Sequence, residues 1–323
     1  MSTQVDAVVD AAGPLLAERM ARVEERLAAA AGWARGALAG HAAATIAAGG
    51  KRLRPMLVFL AAGEDAPASD GGLVRAAAAV ELVHAATLVH DDILDGAALR
   101  RGRPTVVAAG GRELAVAVGD LLFSRAFAEL VRNERVDELR ALSEASSALA
   151  AGELMQREDA WNAEVSVERY LRRCELKTAR LFQAACELGA LEAGGPAHEL
   201  GAFGRRIGLA FQLLDDVLDV AGPAERTGKH RGTDLLDGTV TLPLIVAMQR
   251  DPLLAEVELH GLDEAEAERI CDRVAATGAL DEVRSRALEL VGAAKQSLSG
   301  PAFDEEQRSL LEIVADGIVD RYG

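Results

Sequence analysis

Lysine is scarce. Only four of the 323 residues are lysine (Lys51, Lys177, Lys229 and Lys295), against 31 arginines. A generic positive charge here is an arginine, so each lysine marks a place where a compact ammonium has a use of its own. Positive charge as a whole is in deficit. The formal net charge of −16 excludes a general nucleic-acid binder. Aromatic residues make up 3% of the chain, which leaves Leu, Val and Ala to wall any apolar cavity. Cysteine appears three times, at Cys174, Cys186 and Cys271. A scattered, odd set excludes a disulfide framework and points to a reducing, cytoplasmic setting. Runs of β-branched residues are missing, which excludes a sheet-rich fold. No run approaches the roughly 18 apolar residues of a membrane span, and no basic segment precedes an apolar one at the start of the sequence. The expectation is a cytoplasmic protein with no membrane span and no nucleic-acid partner.

Half of the residues are hydrophobic, enough for a sizeable core. Helix formers dominate, and apolar residues recur at helical spacing almost throughout. The pattern predicts an all-α fold, with helices near 3–31, 33–48, 53–63, 72–94, 110–132, 136–157, 166–191, 196–221 and 239–249, and shorter ones beyond. Breaks fall at Gly49-Gly50, 64–71, Gly102 to Pro104, Gly194 to Pro196, and 222–234. No linker is long enough to require a boundary, so residues 1–323 read as one domain. The segment Leu114–Val131 is apolar on nearly every face, as in a central helix or a subunit interface, and a homodimer is expected.

One short pattern returns. "LVHDDILD" (88–95) recurs as "QLLDDVLD" (212–219), with the leading aspartates 124 residues apart. In each copy the carboxylates stand at i, i+1 and i+4. Asp91 lies under Asp95 and Asp215 under Asp219, while Asp92 and Asp216 are turned about 100° around the axis. Crowded carboxylates repel one another unless a cation absorbs their charge. Mg²⁺ suits them: it takes oxygen ligands, keeps several waters, and binds through a few carboxylates plus substrate phosphates. Two copies with matching apolar approaches suit a diphosphate bridged to protein through metal.

The cations carry the same message. "GGKRLRP" (49–55) places Lys51, Arg52 and Arg54 at a helix start. Lys51 and Arg54, three apart, can clasp a phosphate together. "LRRGRPT" sets Arg100 and Arg101 just beyond the first acidic motif. Neighbours on a loop can point apart, so the two arginines can serve two anions. His84 and His90 lie on the helix that leads into Asp91, and His84, almost two turns below, is the better ligand candidate.

Together these residues resemble the trans-isoprenyl diphosphate synthases, the polyprenyl synthetase family. The similarity runs in order through "GGKRLRP", "ELVHAATLVHDDILDGAALRRGRPT", "GDLLFSRAF", "ELKTARLF", "FQLLDDVLD" and "GKHRGTDLLDGTVTLPL", covering roughly residues 45–250. The resemblance implies an isoprenoid-synthase-type helical bundle around a deep central cavity, usually as a homodimer. It implies about three Mg²⁺ ions holding an allylic diphosphate between the two acidic helices. Asp91, Asp95 and Asp215 match metal ligands, and Asp92, Asp216 and Asp219 supporting positions, Asp219 counting as a further candidate ligand. Lys51, Arg54, His84 and Arg101 match the site for isopentenyl diphosphate. Arg100, Lys177 and Lys229 match holders of the allylic diphosphate. Thr178 and Gln212 match polar positions near the reacting carbons. The family often has lysine where this sequence has Thr239, which removes one expected contact to the allylic diphosphate.

The activity implied is condensation of isopentenyl diphosphate with an allylic primer (geranyl, farnesyl or geranylgeranyl diphosphate) by ionisation of the primer. Ala86 and Thr87, about one turn before Asp91, are expected to line the cavity below it. Farnesyl-making relatives usually place a bulky aromatic there. Ala86 removes that floor, so a product longer than farnesyl is expected. A geranylgeranyl synthase is the alternative, with Leu82 or Leu122 as a deeper stop. A terpene cyclase is the rival enzyme, and a non-catalytic partner subunit the rival non-enzyme. The second aspartate motif and "GGKRLRP" count against the first, and two intact acidic motifs against the second.

Overall fold

The fold was analysed in a computed structural model, which describes residues 4–63, 70–222 and 231–320. Helices α1 (Gln4–Ala31), α2 (Gly36–Ala47), α3 (Leu53–Ala62) and α4 (Asp70–Leu94) come first. A small ribbon follows, β1 (Leu99–Arg100) paired antiparallel with β2 (Arg103–Pro104). Then come α5 (Val106–Gly110), α6 (Arg112–Leu130), α7 (Val136–Glu158), α8 (Val167–Cys174), α9 (Arg180–Ala193) and α10 (Ala197–Ala221). The remainder is α11 (Thr233–Leu236), α12 (Leu242–Arg250), α13 (Pro252–Ala255), α14 (Glu264–Ala276), α15 (Ala279–Ser297) and α16 (Glu305–Asp320). The all-α reading holds. Among the described residues the ribbon is the only sheet.

The chain divides into two compact units. The first comprises Met1–Ser146, Leu181–Gly204 and Leu298–Val314, and the second Ser147–Arg180, Arg205–Ser297 and Ala315–Gly323.

In the first unit α4 packs against α6, α3 and α1. Its sequence explains how. Ala76 to Ala79, Ala85 and Ala86 are small and buried, so neighbours approach closely. Gly119 on α6 meets the His90 ring, where an added Cβ would lie 2.2 Å from Nε2. His90 is thus part of the packing. Gly189 on α9 abuts the backbone of α3, where a Cβ would fall 2.0 Å from the Val58 carbonyl oxygen. By length and composition Gly71–Leu94 is apolar enough to cross a membrane, though 78% of its most apolar window is buried within the protein. Arg75, Glu81 and His84 interrupt the apolar run, so a search for unbroken stretches passes it over. Burial marks it as a core helix.

The predicted helices need three revisions. Gly13, at φ 73°, kinks α1 just ahead of Pro14. The predicted 110–132 helix is broken at Gly111, whose φ of 83° separates α5 from α6, and it ends in a 3₁₀ turn, Val131–Asn133. The predicted 166–191 helix is one run in sequence but contains a π-helical turn, Glu175–Ala179, between α8 and α9. Caps fix other ends. Ser166 accepts from the Arg169 amide at the start of α8, and Asp263 with Glu266 forms a capping box on α14.

In the second unit α12 packs against α14, α15 and α8. Its entry is set by Thr241 and Pro243, and it begins at Leu242, three residues later than the periodicity suggests.

Candidate active site

In the first unit, α4 presents one partly accessible stripe at i, i+3, i+4 and i+7: His84, Thr87, Leu88 and Asp91, with the exposed Asp95 one turn on. Asp91 and Asp95 offer hard carboxylate oxygens side by side. Asp92, turned away, is buried, and its Oδ1 accepts from Arg100 Nε at 2.7 Å and lies 2.7 Å from Nη2. That bond ties β1 to the end of α4. Arg101 and Gly102, at φ 52° and 73°, make the two-residue turn between β1 and β2. The turn sends the two arginines apart. Arg101 lies against Gly50, where an added Cβ would be 3.1 Å from its Nη1.

The approach to α3 gathers the other cations. Arg52 takes a left-handed conformation at the start of α3 (φ 49°). Its guanidinium bonds the buried Glu81 at 2.8 Å, Glu24 at 2.6 Å and the Ile46 carbonyl at 3.0 Å. These bonds commit Arg52 to the fold. Arg54 differs: its Nε is buried with no hydrogen-bond partner, and its guanidinium stands 4.6 Å from the Phe182 ring centroid. Burial pulls Arg54 down to about 10, against the attraction of Glu81. His84 is held well below the usual histidine range, first by burial and then by Arg54, Arg101, Arg100 and Arg52, so its imidazole is neutral. Arg101 is also lowered, chiefly by burial. Lys51, beside them in sequence, is exposed. A half-buried arginine whose Nε lacks a hydrogen-bond partner, set near Arg101 and neutral His84, has the chemistry of an anion site.

In the second unit, Asp215 is exposed and Asp219 half-buried, the latter accepting from the Asp234 amide at 3.3 Å. Asp216 is buried, with Oδ1 accepting from Gln212 Nε2 at 2.8 Å and Oδ2 from the Tyr170 hydroxyl at 2.5 Å. Burial, then Asp234, push Asp216 up to about 8, while the Tyr170 and Gln212 bonds pull the other way. Thr178 donates to Gln212 Oε1 at 2.7 Å. Lys177 bonds Glu153 at 2.5 Å and Gln156 at 3.2 Å. Among the described residues no three of His, Cys, Asp or Glu form a ready cage for a metal. Each motif instead offers an oxygen-only pair, i and i+4, which fits an ion such as Mg²⁺ whose remaining ligands are phosphate oxygens and water.

The polyprenyl synthetase family profile matches residues 37–274, about three quarters of the chain and both aspartate motifs. The chain belongs to the polyprenyl synthetase family. It is a prenyltransferase. A curated relative, heptaprenyl diphosphate synthase component 2 of Geobacillus stearothermophilus, is 35% identical over 92% of this chain and 94% of its own length. The octaprenyl diphosphate synthase of Escherichia coli is 38% identical over 76% of this chain and 78% of its own. Among solved structures, a polyprenyl synthase from Caulobacter crescentus, complexed with calcium and isoprenyl diphosphate, superposes with a TM-score of 0.90. It is 36% identical and covers 100% of this chain and 99% of its own.

Within this polyprenyl synthetase the sequence-predicted residues sort by unit. Lys51, Arg54, His84, Arg100, Arg101, Asp91, Asp92 and Asp95 fall in the first, and Lys177, Thr178, Gln212, Asp215, Asp216 and Asp219 in the second. Lys229 lies outside the described residues. Ala86 and Thr87 separate. Ala86 has no exposed surface, whereas Thr87 is half-buried on the Asp91 stripe, its hydroxyl bonded to the His84 carbonyl at 2.8 Å.

Sequence reasoning missed Tyr170, Glu153 and the props of the Thr239 loop. The Trp161 amide donates to the Gly238 carbonyl at 2.8 Å, and the Trp161 ring fills the space of a Gly238 Cβ. Arg173 donates to the Val240 carbonyl at 2.5 Å, and the Thr239 amide to that of Asp234 at 2.7 Å. Trp161 and Arg173 lie 77 and 67 residues from their partners, so no local pattern announces these two bonds.

Gly152 also had no signal. An added Cβ would lie 2.6 Å from the Lys177 amide nitrogen, so this glycine lets α7 touch the π turn. Gly152→Ala is expected to destabilise the fold by about 1–3 kcal/mol, as overpacking does. Its thermal midpoint should fall and turnover should drop with it, because the π turn carries both Lys177 and Thr178. An unchanged midpoint would show that the contact yields freely.

Proposed function

We propose that this chain is a trans-polyprenyl diphosphate synthase. It joins isopentenyl diphosphate to an allylic primer (geranyl, farnesyl or geranylgeranyl diphosphate) and releases products longer than farnesyl. The observation that carries the reading is Arg54, half-buried with a buried, unpartnered Nε, set beside neutral His84. His84 and Asp91 share one face of α4, seven residues or roughly 10 Å of rise apart. One helix thus serves an anion site for one diphosphate and a carboxylate pair for a metal-bridged second.

The residues divide the work. Lys51, Arg54, His84 and Arg101 hold the diphosphate of isopentenyl diphosphate, the neutral imidazole as a hydrogen-bond donor. Arg100, Lys177 and Lys229 hold the primer diphosphate, with Arg100 also steadied by Asp92. Asp91, Asp95 and Asp215, with Asp219, would hold Mg²⁺, about three ions by family resemblance. Mg²⁺ supplies charge withdrawal from the leaving diphosphate. The primer C–O bond breaks to give an allylic cation and diphosphate. The double bond of isopentenyl diphosphate attacks the cation, and the proton then lost goes to the departing diphosphate. Thr178 and Gln212 face the cation with oxygen atoms. Catalysis is charge stabilisation and placement.

The reading includes one catalytic domain, in keeping with a family match that runs through segments of both units. It also includes a homodimer, supported by exposed Val116 on α6 and Val131 just beyond its end. A cytoplasmic site of action fits three buried free thiols. Incubation with isopentenyl diphosphate, Mg²⁺ and each primer in turn tests the whole. Chain-extended diphosphates are expected. Cyclised hydrocarbon from primer alone would replace this reading with a cyclase, and inertness with a partner subunit.

Product length follows from the stripe below Asp91. Thr87→Phe is expected to shorten the product by at least one isoprene unit, read by chromatography of the dephosphorylated alcohols. Ala86→Phe enters a closed space and should first cost about 1–3 kcal/mol of stability. Unchanged length in Thr87→Phe would move the stop deeper, to Leu82 or Leu122, both fully buried.

A further inference from the structure

The hydrogen bonds around Asp216 have a fixed direction. Gln212 turns its NH₂ to Asp216 Oδ1, which leaves its oxygen towards Thr178. An amide oxygen only accepts, so the single hydroxyl proton of Thr178 is committed to Gln212. The lone pairs of Thr178 Oγ1 are then its remaining polar face. At the other end of the chain of bonds stands Tyr170, completely buried on α8, eight residues before Thr178. Its hydroxyl meets Asp216 Oδ2 at 2.5 Å. With Oδ2 so occupied, Oδ1 is left as the acceptor for Gln212. That holds whenever Oδ1 carries no proton, because a phenol meets Oδ2 as donor or as acceptor.

We propose that Tyr170 is a positioning residue: by holding Asp216 it orients Gln212 and Thr178 so that both present oxygen lone pairs, not protons, to the allylic cation. The inference rests on the prenyl-transfer reading above. Phenylalanine would fill the same space without the hydroxyl. Oδ2 would then lose its partner, the carboxyl group would be able to turn, and Gln212 would be able to exchange its oxygen and nitrogen. A Thr178 proton aimed at the cation would repel it.

The test is a double-mutant cycle on the full-length enzyme, with kcat and KM measured for both diphosphates. Tyr170→Phe is expected to lower kcat about 10-fold, the upper weight of one buried hydrogen bond, and to leave both KM values within about 2-fold. In a Thr178→Val background the same change is expected to cost less than about 2-fold, because the relay is already cut. Equal losses in both backgrounds, or an unchanged kcat, overturn the inference while the function stands. Absence of chain extension by the wild type overturns the functional reading and the inference with it. A measurement on the wild type needs no variant to fold. In ¹⁵N-labelled protein the side-chain NH₂ of Gln212 should exchange slowly with solvent, and rapid exchange counts against the relay.

Discussion

Asp91→Asn is expected to lower kcat about 10³-fold, the upper range for losing one charge-stabilising group in an active site. The same loss is expected for Asp215→Asn. Both aspartates lie at accessible helix positions, and neither side chain fills the core. The thermal midpoint should therefore move little, since a surface substitution away from packing changes stability by about 0.5 kcal/mol or less. Turnover with labelled isopentenyl diphosphate and a melting curve measure the two sides. Asp92→Asn behaves otherwise. It weakens the bond to Arg100, so part of its loss should appear as a higher KM for the primer. Full activity in Asp91→Asn or Asp215→Asn would end the metal-assisted mechanism.

Arg54→Met should raise KM for isopentenyl diphosphate about 10- to 100-fold, the worth of a charge-assisted hydrogen bond or two. KM for the primer should stay within about 2-fold. The effect on stability should have the opposite sign. Arg54 is half-buried, its Nε has no partner, and desolvation lowers it to about 10. Removing this desolvated charge relieves that cost, offset by the lost attraction to Glu81 and the contact with the Phe182 ring. The melting temperature should hold or rise while the enzyme worsens, as expected of a residue kept for function. Arg54→Lys keeps charge without the planar fork and should fall between the two. A large drop in stability with KM unchanged would make Arg54 a structural residue.

The contrast between Arg52 and Arg54 shows where the sequence is transparent and where it is not. "GGKRLRP" announces a cationic helix start, because Gly, Pro and closely spaced bases have local meaning. It does not tell which arginine meets Glu81 and Glu24 and which stays unpartnered. That depends on contacts 28 and 29 residues away. The acidic motifs were legible for the same local reason, since i and i+4 share a face on any helix. Tyr170 was not, because its partner lies 46 residues on and a lone Tyr before "LRRC" carries no pattern. The π turn escaped for a third reason. A single π turn shifts the apolar face at one place only, too short a span for periodicity to register, and the close approach that Gly152 allows to Lys177 comes from a distant helix. Periodicity likewise placed Ala86 and Thr87 together, while their burial, set by packing against other helices, parts them.

The oily character of α4 matters before the protein is finished. Its main packing partner, α6, ends 36 residues after Leu94. At about 5–20 residues per second the ribosome needs roughly 2–7 s to deliver it. For that interval the nascent chain carries a segment that targeting factors can mistake for a membrane anchor, with only α1 to α3 to shield it. Among the described residues α4 is therefore the helix most exposed to such mistargeting during synthesis.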